Sequence, residues 1–78
     1  MDNSFNSLLS IVLVPGVVEL IIKNMEVDEF RALKLFYNSE TYTLLSNEKT
    51  KVWLYSPKTI YLMWSSENKT GQILFPEE

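Results

Sequence analysis

SPKTIYLMWSSENKTG, residues 56–71, is the stretch on which the fold turns. Read as a helix, it has both a start and a stop. Ser56 is a good N-cap, Pro57 suits the first helical position, and Gly71 sits just past the end, where a left-handed residue is often needed. Ile60, Met63 and Trp64 then share one face. The same region also reads as a meander. TYTLL (41–45), KVWLYS (51–56), TIYLMW (59–64) and QILF (72–75) are rich in β-branched and aromatic residues, which favour strands. Periodicity does not separate the two readings, because residues 60–64 are apolar on both faces.

Further toward the N-terminus the helical signals are clearer. Ser39 is placed to cap a short helix carrying Tyr42, Leu44 and Leu45, and Asn47 to cap another carrying Val52, Trp53 and Tyr55. Phe30, Leu33, Phe36 and Tyr37 recur at helical spacing, opposite Arg31, Lys34 and Asn38. Asp28 and Glu29 put negative charge at the start of that helix, which suits its dipole. Residues 24–27 (NMEV) read as the connector before it.

Residues 8–22 (LLSIVLVPGVVELII) are the most apolar run, with Asp2, Asn3 and Ser4 as candidate caps ahead of it. The run is shorter than the roughly 20 residues of a membrane-spanning helix, and it contains Ser10, Pro15, Gly16 and Glu19. The first seven residues carry no Lys or Arg, and no small-residue cleavage site follows, so the run reads as a buried helix and not a secretory signal. Pro15 is expected to break or kink that helix, or to open a second one in which Val17, Val18, Ile21 and Ile22 form the apolar stripe. A rival reading is a hairpin around Pro15-Gly16, although tight hairpins prefer Asn-Gly or Asp-Gly.

Composition bounds the chemistry. A chain of 78 residues is one domain, and a domain this size buries only about 60% of its unfolded surface. With 46% apolar and 13% aromatic residues it has the means to fold. There is no cysteine and no histidine. Disulfides and thiolate metal sites are thereby excluded, and the commonest neutral-pH base and zinc ligand is missing. No metal or other cofactor is expected, and a reducing, cytoplasmic setting fits.

Seven basic residues stand against ten acidic ones, a net charge of −3, and the lysines are scattered from Lys23 to Lys69. That pattern argues against a nucleic-acid footprint, which needs clustered cations. The acidic pairs Asp28-Glu29 and Glu77-Glu78 are sequence neighbours, which do not face one another as an acid–base pair must. Ser4, Ser7, Ser39 and Ser56 have no histidine base, and two glycines cannot build a phosphate loop. Asn68-Lys69-Thr70 matches a glycosylation sequon and reads as a turn. No enzyme can be assembled from these parts.

Ala32, Phe36, Ser39, Tyr42 and Leu45, then Thr50, Trp53, Ser56 and Pro57, then Gly71 and Pro76 form a pattern that resembles a family of small uncharacterised bacterial proteins. The likeness runs from Phe30 to Pro76, about 60% of a single-domain chain. It implies a helix over residues 57–67 and a mostly helical fold. Some members of that family lie near toxin–antitoxin-type genes, which implies an association and no mechanism.

Together these readings predict a mainly α fold: a small bundle of four or five short helices with an extended C-terminal arm. The alternative is α+β, with N-terminal helices on a small antiparallel sheet. Tyr42, Trp53, Tyr55, Tyr61 and Trp64 serve either as core or as a binding patch. Residues 60–64 are apolar on every side, which points to Tyr61 or Trp64 as exposed rings, and QILFP after Gly71 forms an apolar arm. The candidate interaction surface is therefore Tyr61, Trp64, Leu74 and Phe75. The expected function is a non-enzymatic protein–protein interaction module, antitoxin-like or regulatory, with an unidentified protein partner or self-association. The alternatives are a nucleic-acid-binding regulator and a membrane-active peptide using residues 8–22.

Overall fold

Side-chain caps punctuate the chain where the sequence supplies them. The Asp28 carboxylate accepts from the Arg31 N–H at 2.8 Å, the Ser39 hydroxyl oxygen from the Tyr42 N–H at 3.0 Å, and the Ser56 hydroxyl oxygen from the Thr59 N–H at 3.2 Å. Each satisfies a donor that the first turn of a helix leaves unpaired. In the computed structural model, which describes residues 4–76, these caps open three of four helices. The helices are α1 (Ser4–Met25), α2 (Glu29–Tyr37), α3 (Glu40–Leu45) and α4 (Pro57–Thr70). Two 3₁₀ turns, Glu48–Thr50 and Val52–Leu54, join α3 to α4. The candidate caps Asp2 and Asn3 and the Glu77-Glu78 pair lie outside the described residues.

The fold is a small mainly α bundle, and no strand occurs among the described residues. The meander loses to local chemistry. Ser56 caps α4, Pro57 occupies its first turn, and Gly71 closes it at φ 83°, its N–H donating to the Glu67 carbonyl at 2.8 Å. Asn47 caps only the first 3₁₀ turn, so Val52 and Trp53 sit in a second turn that Lys51 opens at φ 64°. The Thr50 hydroxyl ties this connector down by donating to the Leu44 carbonyl at 2.6 Å.

Pro15 does not break the helical run, and it sits in the first turn of the regular α-helical stretch Val14–Met25. Leu8–Leu13 widens into a π-helical stretch, in which the Val14 N–H reaches back five residues to the Leu9 carbonyl. In α geometry the Pro15 ring would crowd the Ile11 carbonyl, and Pro15 has no N–H to return. The wider turn relieves the crowding, and α1 runs 22 residues, into the expected connector as far as Met25. It ends with Glu26 in the left-handed region, φ 56° and ψ 45°.

α1 supplies Leu13, Val14, Val17, Val18 and Ile21 to the core. α2 adds Ala32 and Phe36, α3 adds Leu45, the second turn adds Val52, and α4 adds Ile60, Met63 and Trp64. α4 is packed between α1 and α3. The α1–α4 crossing is close at Gly16, where an added Cβ would lie 2.8 Å from Pro57 Cβ and 3.0 Å from Pro57 Cγ. The amino end of α1 is held by Trp53, whose ring meets Phe5 edge-on at 5.6 Å while its indole N–H donates to the Glu48 carbonyl at 2.8 Å.

α2 buries a narrower face than its spacing predicts. Ala32 and Phe36 are inside, but Phe30 is 72% exposed and Tyr37 48% exposed. A helix of nine residues packed against α1 and the short α3 has no neighbour to cover its whole apolar arc.

Candidate functional site

The four residues expected to form one surface divide into two pairs. Trp64 is only 2% exposed and belongs to the core, which corrects its assignment as a surface ring. It lies one turn beyond Ile60, on the side of α4 that faces inward. Tyr61 is half-buried beside it, the two rings 6.0 Å apart and tilted by 33°. Leu74 and Phe75 are exposed, at 70% and 52%. The arm after Gly71 is irregular: Ile73 packs back onto the core, and Leu74, Phe75 and Pro76 join Thr59, Leu62 and Met63 of α4 around a cleft of about 370 Å³.

A larger concavity lies elsewhere, between α1 and α2. It encloses about 710 Å³. Ile11, Pro15, Val18 and Ile22 line it from α1, and Leu33 and Tyr37 from α2. The α1 positions step by four, three and four residues, which is a second helical stripe beside the buried one through Val14, Val17 and Ile21. That double stripe is the signal in the sequence that marks the groove. Glu19 and Glu29 also line the groove, and no Lys or Arg does. The cations of α2 lie on its other side, where Arg31 and Lys34 border a cleft of about 570 Å³ with Phe30 and Leu35. There the Lys34 ammonium sits 5.6 Å from the centre of the Phe30 ring.

Several of the polar residues singled out in the sequence have structural roles. Ser39 and Ser56 cap helices, and the Ser39 hydroxyl also donates to the Phe36 carbonyl at 2.6 Å. Asn68-Lys69-Thr70 is the last turn of α4, not a free turn, and the Thr70 hydroxyl donates to the Ser66 carbonyl. Among the described residues, no group of three or more acidic side chains is gathered as a metal site would require.

The Glu67 carboxylate is held by three hydrogen bonds. Its Oε2 accepts from the Glu40 N–H at 2.7 Å, and its Oε1 from the Thr41 N–H at 2.9 Å and the Thr41 hydroxyl at 2.7 Å. Partial burial by itself raises its pKa, but the three hydrogen bonds outweigh that and leave it below the ordinary 4.5. Glu67 thus clamps the start of α3 onto α4, with the negative charge at a helix N-terminus where the dipole favours it.

α1 also carries a property that residues 8–22 alone did not. Over Ser4–Met25 it is long and apolar enough to cross a bilayer, with mean hydropathy 2.1 over an 18-residue window of which 28% is buried. No family model, no curated protein and no solved structure matches the chain.

Proposed function

We propose that this chain is a non-enzymatic protein-binding module. The observation that carries the reading is the amount of large apolar surface that a well-satisfied fold leaves outside. Ile11, Phe30, Leu54, Leu62, Leu74 and Phe75 are each more than half exposed, while no buried side-chain nitrogen or oxygen among the described residues lacks a partner. Leu62, Leu74 and Phe75 gather about one cleft, and contiguous apolar surface of this kind marks recognition surfaces in soluble proteins. An antitoxin-like or regulatory role is the narrower form of the proposal, and it rests on the sequence resemblance alone.

The test is affinity capture of the tagged full chain from lysate of the source cell, with mass spectrometry of bound protein and a parallel nucleic-acid assay. A stoichiometric protein partner supports the reading. Nuclease-sensitive nucleic acid as the main bound species replaces it with the regulator reading.

The length and hydropathy of α1 favour a second reading, membrane association. Against it, insertion would withdraw Val17, Val18 and Ile21 from the core and carry Glu19 toward hydrocarbon, at a cost of several kcal/mol for a buried, unpaired charge. Flotation of the purified chain with liposomes decides between the two.

A further inference from the structure

We infer that the α1–α2 groove receives a basic amphipathic helix from another protein, a deepening that rests on the protein-binding reading above. Length is the first argument. Ile11 to Ile22 is 11 residue steps along α1, or about 16 Å at 1.5 Å per step. A three-turn helix fills that length and presents anchors at i, i+4 and i+7. Backbone chemistry is the second argument. An extended peptide recognised by strand addition needs a sheet edge to pair with, and no strand exists among the described residues. The groove walls are helices and offer no strand ladder for an occupant to join, which suits a helix that satisfies its own backbone.

Charge fixes the chemistry of the occupant. Val18, Ile22 and Leu33 are buried or half-buried and form the apolar floor, while Ile11 and Tyr37 stand exposed at the edges. The charged groups of the lining are Glu19 on α1 and Glu29 on α2, both carboxylates and both exposed. A helix with an apolar stripe flanked by Lys or Arg matches that arrangement. One flanked by Asp or Glu meets repulsion on both walls. A second copy docking groove to groove would oppose carboxylate to carboxylate, so symmetric self-association is disfavoured at this face.

The experiment uses the full chain and three fluorescent, end-capped helical peptides of 14–18 residues. One has a Leu stripe flanked by Lys, one the same stripe flanked by Glu, and the third is the Lys peptide with its residues scrambled. Anisotropy titration at low salt is expected to show binding of the Lys peptide and at least tenfold weaker binding of the other two. Ile11→Ser, at an exposed position, weakens the Lys peptide. The double variant Glu19→Lys/Glu29→Lys, with helical circular dichroism unchanged, inverts the preference and binds the Glu peptide better. Equal affinity of the Lys peptide for wild type and the charge-reversed variant overturns the inference, as does equal binding of all three peptides or no binding. The two proposals fail separately. A lysate partner lost with Leu62→Ser/Phe75→Ser and retained by Ile11→Ser and the charge-reversed variant keeps the binding module and overturns the groove assignment. Concentration-dependent oligomers abolished by Ile11→Ser overturn it in favour of a second copy.

Discussion

Replacing Glu67 with alanine removes three hydrogen bonds that join residues 26 and 27 positions apart. Each is charge-assisted, and such bonds are worth about 1.5–3 kcal/mol net when well sheltered. The one to Glu40 is exposed and the other two are part-buried, so about 1 kcal/mol apiece is the better figure. Thr41 is fully buried, and its hydroxyl would be stranded. The expected loss is therefore about 2–4 kcal/mol, a large part of the roughly 4–12 kcal/mol that a domain of this length has. At about 4–8 °C per kcal/mol, Tm should fall by at least about 8 °C.

Glu67→Gln keeps the shape and removes the charge, and it turns an amide NH₂ toward the α3 N-terminus. It should lose about half as much as Glu67→Ala. The sign of the pH dependence follows from the lowered pKa. The clamp's contribution is fully present above the unfolded value near 4.5 and is lost as pH falls through the lower folded value. Urea unfolding followed by circular dichroism at pH 7 and at pH 3 gives both comparisons. A Gln variant within 0.3 kcal/mol of wild type at pH 7 would refute the reasoning, as would a gap of the same size at both pH values.

Gly16→Val should destabilise by about 1–3 kcal/mol in the same urea assay, because the new side chain meets the rigid Pro57 ring and the α1–α4 crossing must open. Glu26→Gly should stabilise by several tenths to about 1 kcal/mol, since a left-handed C-cap suits glycine better than glutamate; a lower Tm would count against that cap geometry. Trp53→Leu removes the Phe5 ring contact and the bond to the Glu48 carbonyl, so amide hydrogen exchange should quicken in the first two turns of α1 before it quickens in α4.

The caps of this fold are legible in the sequence because they act within three or four residues. Asp28, Ser39, Ser56-Pro57 and Gly71 mark where α2, α3 and α4 start and where α4 stops, and Ile60, Met63 and Trp64 mark its buried side. The passage of α1 through Pro15 is not legible. It depends on a π-helical widening, beyond which Val17 and Ile21 are anchored in the core and Gly16 lets Pro57 approach, and none of these is a local sequence signal. The Glu67 clamp has no local spacing to reveal it, since its partners lie across two helices. The groove was half legible: its α1 stripe is written in residues 11–22, but its second wall comes from α2, and no single-helix periodicity announces a surface that two helices share. Trp64 and Phe30 carry the same lesson from opposite sides. Aromatic identity says that a ring wants burial, and the number of neighbouring helices decides which ring obtains it.

The measurement that bears most directly on the protein-binding account is site-specific photo-crosslinking in the source cell. A benzophenone side chain is placed in turn at Ile11 in the groove, at Phe75 in the α4 cleft, and at the exposed Glu48 as a control. The account expects a discrete protein adduct from position 11 and none from position 48. No protein adduct from either apolar position, or adducts to lipid alone, would contradict it.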